Sequence, residues 1–274
     1  MPRTIMLVLL TMLAGAALAL QDTPKIEVEK LADNVYLFTH NAHRSLFVVT
    51  DSAILATDPQ SVEAAPRYVE EIRKISQAPI KYLVYSHHHA DHVSGGAAFG
   101  DDVTIIAHQG VLDHIQGDIL PPHITFAEET SLYLDDLEVR LIFPGPSETE
   151  SNIIVHVPER GVAFMVDAVG VRVVPWRNMS GSDPHEWLAA LEKMDAIDFE
   201  ILAPGHGLTG KKENVGEYIG YMKALIAAVQ DGIDKGQTLA QMQESLELSE
   251  YTDWTRYDEH FDMNIEGVHR ELTK

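Results

Sequence analysis

Two β-sheets packed face to face, with helices on their outer faces, are the α/β architecture this sequence predicts, and three observations predict it. Short apolar runs rich in β-branched residues, bounded by turn residues, recur along the chain and read as strands. They fall into two sets, roughly residues 26–115 and 132–230. Each set carries a helical pattern behind its strands, which is how the outer face of a sheet is covered.

In chain order, Ile26-Glu27-Val28-Glu29 and Val35-Tyr36-Leu37-Phe38 read as short strands. Leu46–Thr50 and Ala53–Thr57 form a hairpin around Asp51-Ser52. A helix starts close to Pro66, tolerated only in a first turn, with Val69, Ile72 and Ile75 or Ser76 as its apolar stripe. Ile80–Tyr85 and Val103–Ala107 are strands, followed by a short helix with Val111, Leu112 and Ile115. Residues 117–126, with Pro121-Pro122, read as irregular. Leu132–Leu134 and Leu137–Phe143 pair across Asp135-Asp136, and Ile153–Val157 pairs with Val162–Val166. Asp183 caps the next helix, Pro184 suits its first position, Glu186 completes a capping box, and Trp187, Leu191 and Met194 form its buried stripe. Phe199–Ala203 is another strand, and Val215, Tyr218, Met222, Leu225 and Val229 stand at helical spacing. The tail from Thr238 holds a short helix and the aromatics Tyr251, Trp254, Tyr257 and Phe261, which could cover a partner or the protein's own core.

The first twenty residues read as a signal peptide: Arg3, an apolar run from Ile5 to Ala19, and a small-x-small end at Ala17-Leu18-Ala19. Residues 21–274 are then one domain, periplasmic or secreted, with no integral membrane segment after cleavage. With 42 acidic against 20 basic side chains the formal net charge is -22, which repels phosphate backbones and disfavours a nucleic-acid partner. The chain has no cysteine, so a metal site must be built from nitrogen and oxygen.

The chemistry concentrates in Ser86-His87-His88-His89-Ala90-Asp91-His92, where six consecutive residues from His87 supply four imidazoles and a carboxylate past the end of a strand. Imidazole nitrogen and carboxylate oxygen are the ligands of zinc and its neighbours. Other acids and a histidine also stand just past strands: Glu148 in Gly145-Pro146-Ser147-Glu148-Thr149-Glu150-Ser151, Asp167 after Val162–Val166, and His206 in Pro204-Gly205-His206-Gly207. Strand ends of this kind converge on one edge, where sites usually sit.

In this ordered combination the sequence resembles the metallo-β-lactamase superfamily, whose signature is H-x-H-x-D-H, then a His, an Asp, and a His in Pro-Gly-His-Gly. The match runs over about residues 26–230, and Asp58 is similar to the family's first motif, a buried aspartate supporting the site. The resemblance implies a four-layer αβ/βα sandwich of two mixed sheets with a site for one or two Zn2+ ions. His87, His89 and Glu148 would hold the first metal, Asp91, His92 and His206 the second, and Asp167 would bridge them. Together with the signal peptide it implies an exported hydrolase that uses a metal-bound hydroxide to cleave an ester, lactone, amide or β-lactam bond in a small molecule, with Asp91 orienting the water or taking its proton. The departure is Glu148, where most members have histidine. Its harder oxygen leaves three outcomes open: a first site shifted towards iron or manganese, a weak first site, or a site without catalysis. An iron-dependent oxidoreductase and a metal-holding protein without turnover are the alternatives to hydrolysis.

His88, the motif's first x, points away from the metals; His108, His114 and His156 read as packing or surface residues. His40, His43 and Arg44, and His123, lie in loops that could overhang a cleft. Arg172 and Arg177, with Trp176, follow Asp167 in a loop of the kind that shapes substrate pockets, and either arginine could pair with a substrate carboxylate.

Overall fold

The computed structural model of the chain describes residues 24–180 and 183–274; the segment read from sequence as a signal peptide lies outside the described residues. The first sheet runs in sequence order: β1 (Ile26–Ala32), β2 (Val35–His40), β3 (His43–Val49), β4 (Ile54–Thr57), β5 (Ile80–Val84), β6 (Thr104–His108) and β7 (Ile124–Phe126). Its first four strands are antiparallel, and β4 to β7 are parallel. Helix α1 (Ala64–Ile75) makes the β4–β5 crossover, and the one-turn α2 (Ala90–Val93) lies between β5 and β6. The second sheet contains β8 (Glu129–Leu134), β9 (Leu137–Ile142), β10 (Ile154–Val157), β11 (Val162–Met165), β12 (Ile201–Pro204) and β13 (Gly210–Lys211), side by side in that order. It too is mixed, since β11 and β12 are parallel and the rest antiparallel. Helices α3 (Pro184–Asp195), α4 (Lys212–Asp234), α5 (Leu239–Ser245) and α6 (Tyr257–Leu272) belong to this half.

Side chains alternate across each strand, so each sheet has two apolar faces to cover. Leu37, Leu46, Leu55 and Val84 meet Val139, Leu141, Val155 and Phe164 between the sheets. The alternate residues Phe38, Phe47 and Leu83 pack outward against Tyr68 and Ile72 of α1. On the other side Ala163 and Met165 face Trp187 and Leu191 of α3 and Tyr218 and Met222 of α4. Four layers result: helix, sheet, sheet, helices.

Three local readings change. Helix α1 begins two residues before Pro66, and its buried stripe is Ala65, Tyr68 and Ile72, while Ile75 is exposed. The irregular stretch 117–126 contains β7, whose exposed Ile124 and Thr125 gave no alternation to read. The tail aromatics cover the chain's own core: α6 packs with α4, Trp254 stacks on Tyr221 with ring centroids 5.5 Å apart, and Tyr257 and Phe261 are buried. No described helix is long and apolar enough to cross a membrane.

Candidate metal centre

The residues that matter here leave the ends of strands at one edge of the sandwich. Asp58 follows β4, the histidine tract follows β5, Glu148 follows β9, Asp167 follows β11 and His206 follows β12. His43 is the first residue of β3, just past the β2–β3 turn. Asp58 and Asp167 hold left-handed backbone, with φ of 35° and 60°, so each strand breaks sharply just where its carboxylate is presented. Such a conformation costs on the order of 1–3 kcal/mol for a residue with a Cβ, and persists where the surroundings hold it.

Buried hydrogen bonds aim the side chains. The Ser86 N–H donates to Asp58 Oδ1 at 2.8 Å, and the Ser45 hydroxyl donates to the Asp58 carbonyl, which fixes the start of the histidine loop. Ser86 Oγ lies 2.9 Å from His87 Nδ1, leaving His87 Nε2 to face inward. His206 Nδ1 lies 2.7 Å from the Ala42 carbonyl and donates to it, so its Nε2 carries the lone pair. Asn152 donates to the Val166 carbonyl at 3.0 Å and accepts from the Thr149 N–H at 2.6 Å, tying the Glu148 loop to the strand that carries Asp167.

The donors converge on Asp167. Its Oδ2 stands 3.2 Å from His87 Nε2, 3.4 Å from His89 Nδ1 and 3.8 Å from His92 Nε2, and its Oδ1 stands 3.0 Å from His206 Nε2. Glu148 Oε2 is 3.7 Å from His89 Nδ1, and the Nε2 atoms of His92 and His206 are 3.1 Å apart. Ligand atoms of His87, His89, Glu148 and Asp167 all lie within 4.8 Å of one another, and so do those of His43, His92 and His206. Asp91 is placed differently from the others. Its carboxylate is 62% exposed, lines the cleft and lies 3.1 Å from His43 Nε2. His43, read from sequence only as a loop residue, therefore stands where Asp91 was expected beside His92 and His206.

These spacings fit a metal. Ligands held about 2.0–2.1 Å from a tetrahedral zinc sit roughly 3.3–3.4 Å from each other, and the donor pairs here are 3.0 to 3.8 Å apart. His87 Nε2 is wholly buried and, although 3.2 Å from Asp167, lacks the alignment of a hydrogen bond, as expected of a lone pair aimed at a cation. Two protonation states suit a metal as they stand, and two require a proton to leave. Burial holds the His92 imidazole well below its usual range, while Asp167, despite its burial, is held far below the usual carboxylate range by the surrounding histidines. Burial, with Asp167 close by, pushes Glu148 up to about 7. Burial would lower His89, but the carboxylates of Asp167, Glu148 and Asp91 lift it to about 9. A donor set of imidazoles and carboxylates without sulfur suits zinc, iron or manganese.

Residues 34–206 match the model of the metallo-beta-lactamase superfamily. The chain belongs to the metallo-β-lactamase superfamily. Among superfamily members similar to it is the linear primary-alkylsulfatase of Pseudomonas sp. (strain ATCC 19151), 24% identical over 255 residues that cover 72% of this chain and 48% of that protein. The solved stereoselective inverting sec-alkylsulfatase Pisa1 from Pseudomonas sp. superposes with a TM-score of 0.76 at 16% identity, over 89% of this chain and 50% of that one. A metallo-beta-lactamase from Pontibacter korlensis gives a TM-score of 0.63 at 20% identity, over 73% of this chain and 99% of that one. These two structural likenesses speak to the fold. The chain spans about half the length of the two alkylsulfatases.

In this superfamily member the donors form the floor of a cleft of about 610 Å³, lined there by His43, His89, Asp91, Glu148, Asp167 and His206. Its walls are apolar, built from Val169, Val173, Val174, Pro175, Trp176 and Leu208. Arg172 and Arg177 do not line it. Arg172 pairs with Asp253, and Arg177 lies over the Trp176 ring, 5.0 Å from its centroid. The arginine in the cleft is Arg256, which sequence reading passed over because it stands far from every motif. The remaining histidines are engaged elsewhere. His88 stacks on His114 at 3.6 Å and bonds Ser151, His108 stacks on Phe143 at 3.9 Å, His156 bonds the Asp198 carbonyl, and His123 accepts the Ile105 N–H. Arg44 is bound to Glu29 and Thr209.

Proposed function

We propose that this chain is a metal-dependent hydrolase that cleaves an ester bond in a small molecule with an apolar body. One observation carries the reading: two groups of nitrogen and oxygen donors flank a shared Asp167 at the floor of a valine-walled cleft. His87, His89 and Glu148 would hold one divalent metal, and His92 and His206 a second, with Asp167 between them. Bound metals of this kind supply Lewis acidity, which activates water near neutral pH and polarises the bond to be broken. Asp91 reaches into the cleft and touches His43 at 3.1 Å; that contact keeps its carboxylate ionised, well below the usual range, so it can accept a hydrogen bond from the attacking water and orient it. Asp58 and Ser86 keep the histidine loop from shifting as charge develops, and the valines exclude bulk water from the floor. The alkylsulfatase relatives, whose names state action on alkyl sulfates, which are esters, support an ester over a lactam.

Purified protein assayed with chromogenic esters, before and after chelation, tests this. Turnover abolished by chelator, restored by zinc or manganese and lost in Asp167→Asn is the expected result. Turnover indifferent to chelator contradicts it, and bound iron with oxygen consumption and no hydrolysis favours the oxidoreductase reading that the oxygen-rich donor set also permits. We propose in addition that the chain is exported, on the strength of the Arg3-to-Ala19 segment; N-terminal sequencing from fractionated cells would show an uncleaved Met1 in the cytoplasm if it is not.

A further inference from the structure

The structure holds an uncompensated cation in a chain of formal net charge -22, and it lies in the cleft. Arg256 makes no hydrogen bond or ion pair through its guanidinium with any described residue; its one partner is the Trp176 ring, 4.6 Å from centroid to guanidinium carbon. Carboxylates are not lacking nearby. Glu27 and Glu29 line the adjoining groove that Arg256 also borders, yet they pair with Lys25 and Arg44. Asp253, three residues away, pairs with Arg172. The position is built. Arg256 has left-handed backbone, φ 65°, at the start of α6, and Thr255 donates to and accepts from the backbone of Arg172 and Val174, fixing the tail to the cleft wall. Trp176 is 52% exposed and Leu208 69% exposed, so the lip beside the guanidinium is apolar.

An always-charged planar fork beside a water-excluding wall is a receptor for an oxyanion, and a stem of apolar residues below it is a receptor for hydrocarbon. We propose that Arg256 is a specificity-determining residue that anchors the negatively charged group, sulfate or carboxylate, of an amphiphilic substrate whose apolar body lies against Val173, Val174, Trp176 and Leu208. The inference rests on the cleft being the substrate site of the proposed hydrolase.

Calorimetric binding to the metal-loaded protein tests the anchor without turnover, because octane-1-sulfonate has no ester to cleave. The probes are octane-1-sulfonate, octanoate and neutral octyl glucoside, each against wild type, Arg256→Gln, Arg256→Lys and Arg177→Gln. A charge-assisted bidentate contact predicts weakening of the tighter anion by roughly 10- to 100-fold in Arg256→Gln. Arg256→Lys should lose less, Arg177→Gln little, and octyl glucoside should bind all four alike. Whichever anion binds wild type more tightly identifies the head group. Equal affinity of both anions for wild type and Arg256→Gln overturns the proposal. So does a loss in Arg177→Gln as large as in Arg256→Gln, which would mean diffuse charge, or an anion affinity that disappears with metal removal yet ignores Arg256. Should Arg256→Gln not fold, wild type against Arg256→Lys decides, since the fork is lost while charge remains. Sulfonate binding that needs Arg256 in a protein without esterase turnover would sink the hydrolase reading and leave the anchor standing; turnover with no Arg256 dependence of binding would do the reverse.

Discussion

At position 148 a carboxylate oxygen stands 3.7 Å from His89 Nδ1. A carboxylate adds negative charge to the first donor group and is a harder ligand, so it should weaken the metal as a Lewis acid and favour iron or manganese relative to zinc. Glu148→His is expected to tighten zinc at this group, read as a lower dissociation constant in competition with a chelating dye; identical values for the two proteins would remove Glu148 from the ligands. Protons compete for the same donors. His89, raised to about 9, must lose its proton to bind, so below that pH each displaced proton makes metal affinity rise by about tenfold per pH unit. Dye competition at pH 6.5 and pH 8 should show that rise, and a flat profile would mean that His89 binds no metal. The residues in motifs were legible because ligand types and order are written in the chain. His43 was legible only as a residue that could overhang a cleft, and Arg256 not at all, since one imidazole near a turn and one arginine in a tail acquire meaning only from what the fold places opposite them.

Among the elements, α6 has consequences beyond its own burial. Asn264 on its inner face donates to the carbonyls of Pro175 and Arg177 at 3.1 and 2.6 Å and accepts from the Tyr221 hydroxyl at 2.7 Å, so it clamps the Trp176 loop to α4. Gly267 lies so close to this loop that a Cβ would sit 2.2 Å from the Asn178 carbonyl oxygen. Gly267→Ala should therefore push the loop away, lowering the unfolding midpoint and raising KM for amphiphilic esters more than it lowers kcat; unchanged KM would show that the loop does not shape the cleft. Phe261 is buried between these elements, and Phe261→Ala should cost about 3–5 kcal/mol in urea unfolding. A loss of under about 1 kcal/mol would mean that the tail is not part of the core. Hairpins such as β8–β9 could be read directly, because Leu137, Val139 and Leu141 alternate with polar or outward residues and turn at Asp135-Asp136. In α1 the stripe was displaced by one position, since Tyr68 buries its ring while donating its hydroxyl to the Leu46 carbonyl, and only tertiary packing selects it over Val69.

Over the whole molecule, the sandwich brings strand ends from both sheets to one edge, and the sequence predicted that edge from the order of its acids and histidines. The cleft walls were hidden, because Val169, Val173 and Val174 are apolar residues of a loop, with no period to reveal which way they face. The strongly acidic surface and the cationic lip belong to the same scale: a net charge of -22 repels anions generally, so an anionic substrate needs a local receptor and should bind more tightly as salt screens the bulk repulsion. The central claim remains that both donor groups share Asp167 around bound metal. Metal content after loading and exhaustive dialysis, measured by plasma mass spectrometry on wild type and Asp167→Asn side by side, tests it most directly. Retention by wild type and loss from the variant, with both proteins showing the same far-ultraviolet circular dichroism, is the result expected. Equal metal in the two, or none held by wild type, would contradict it.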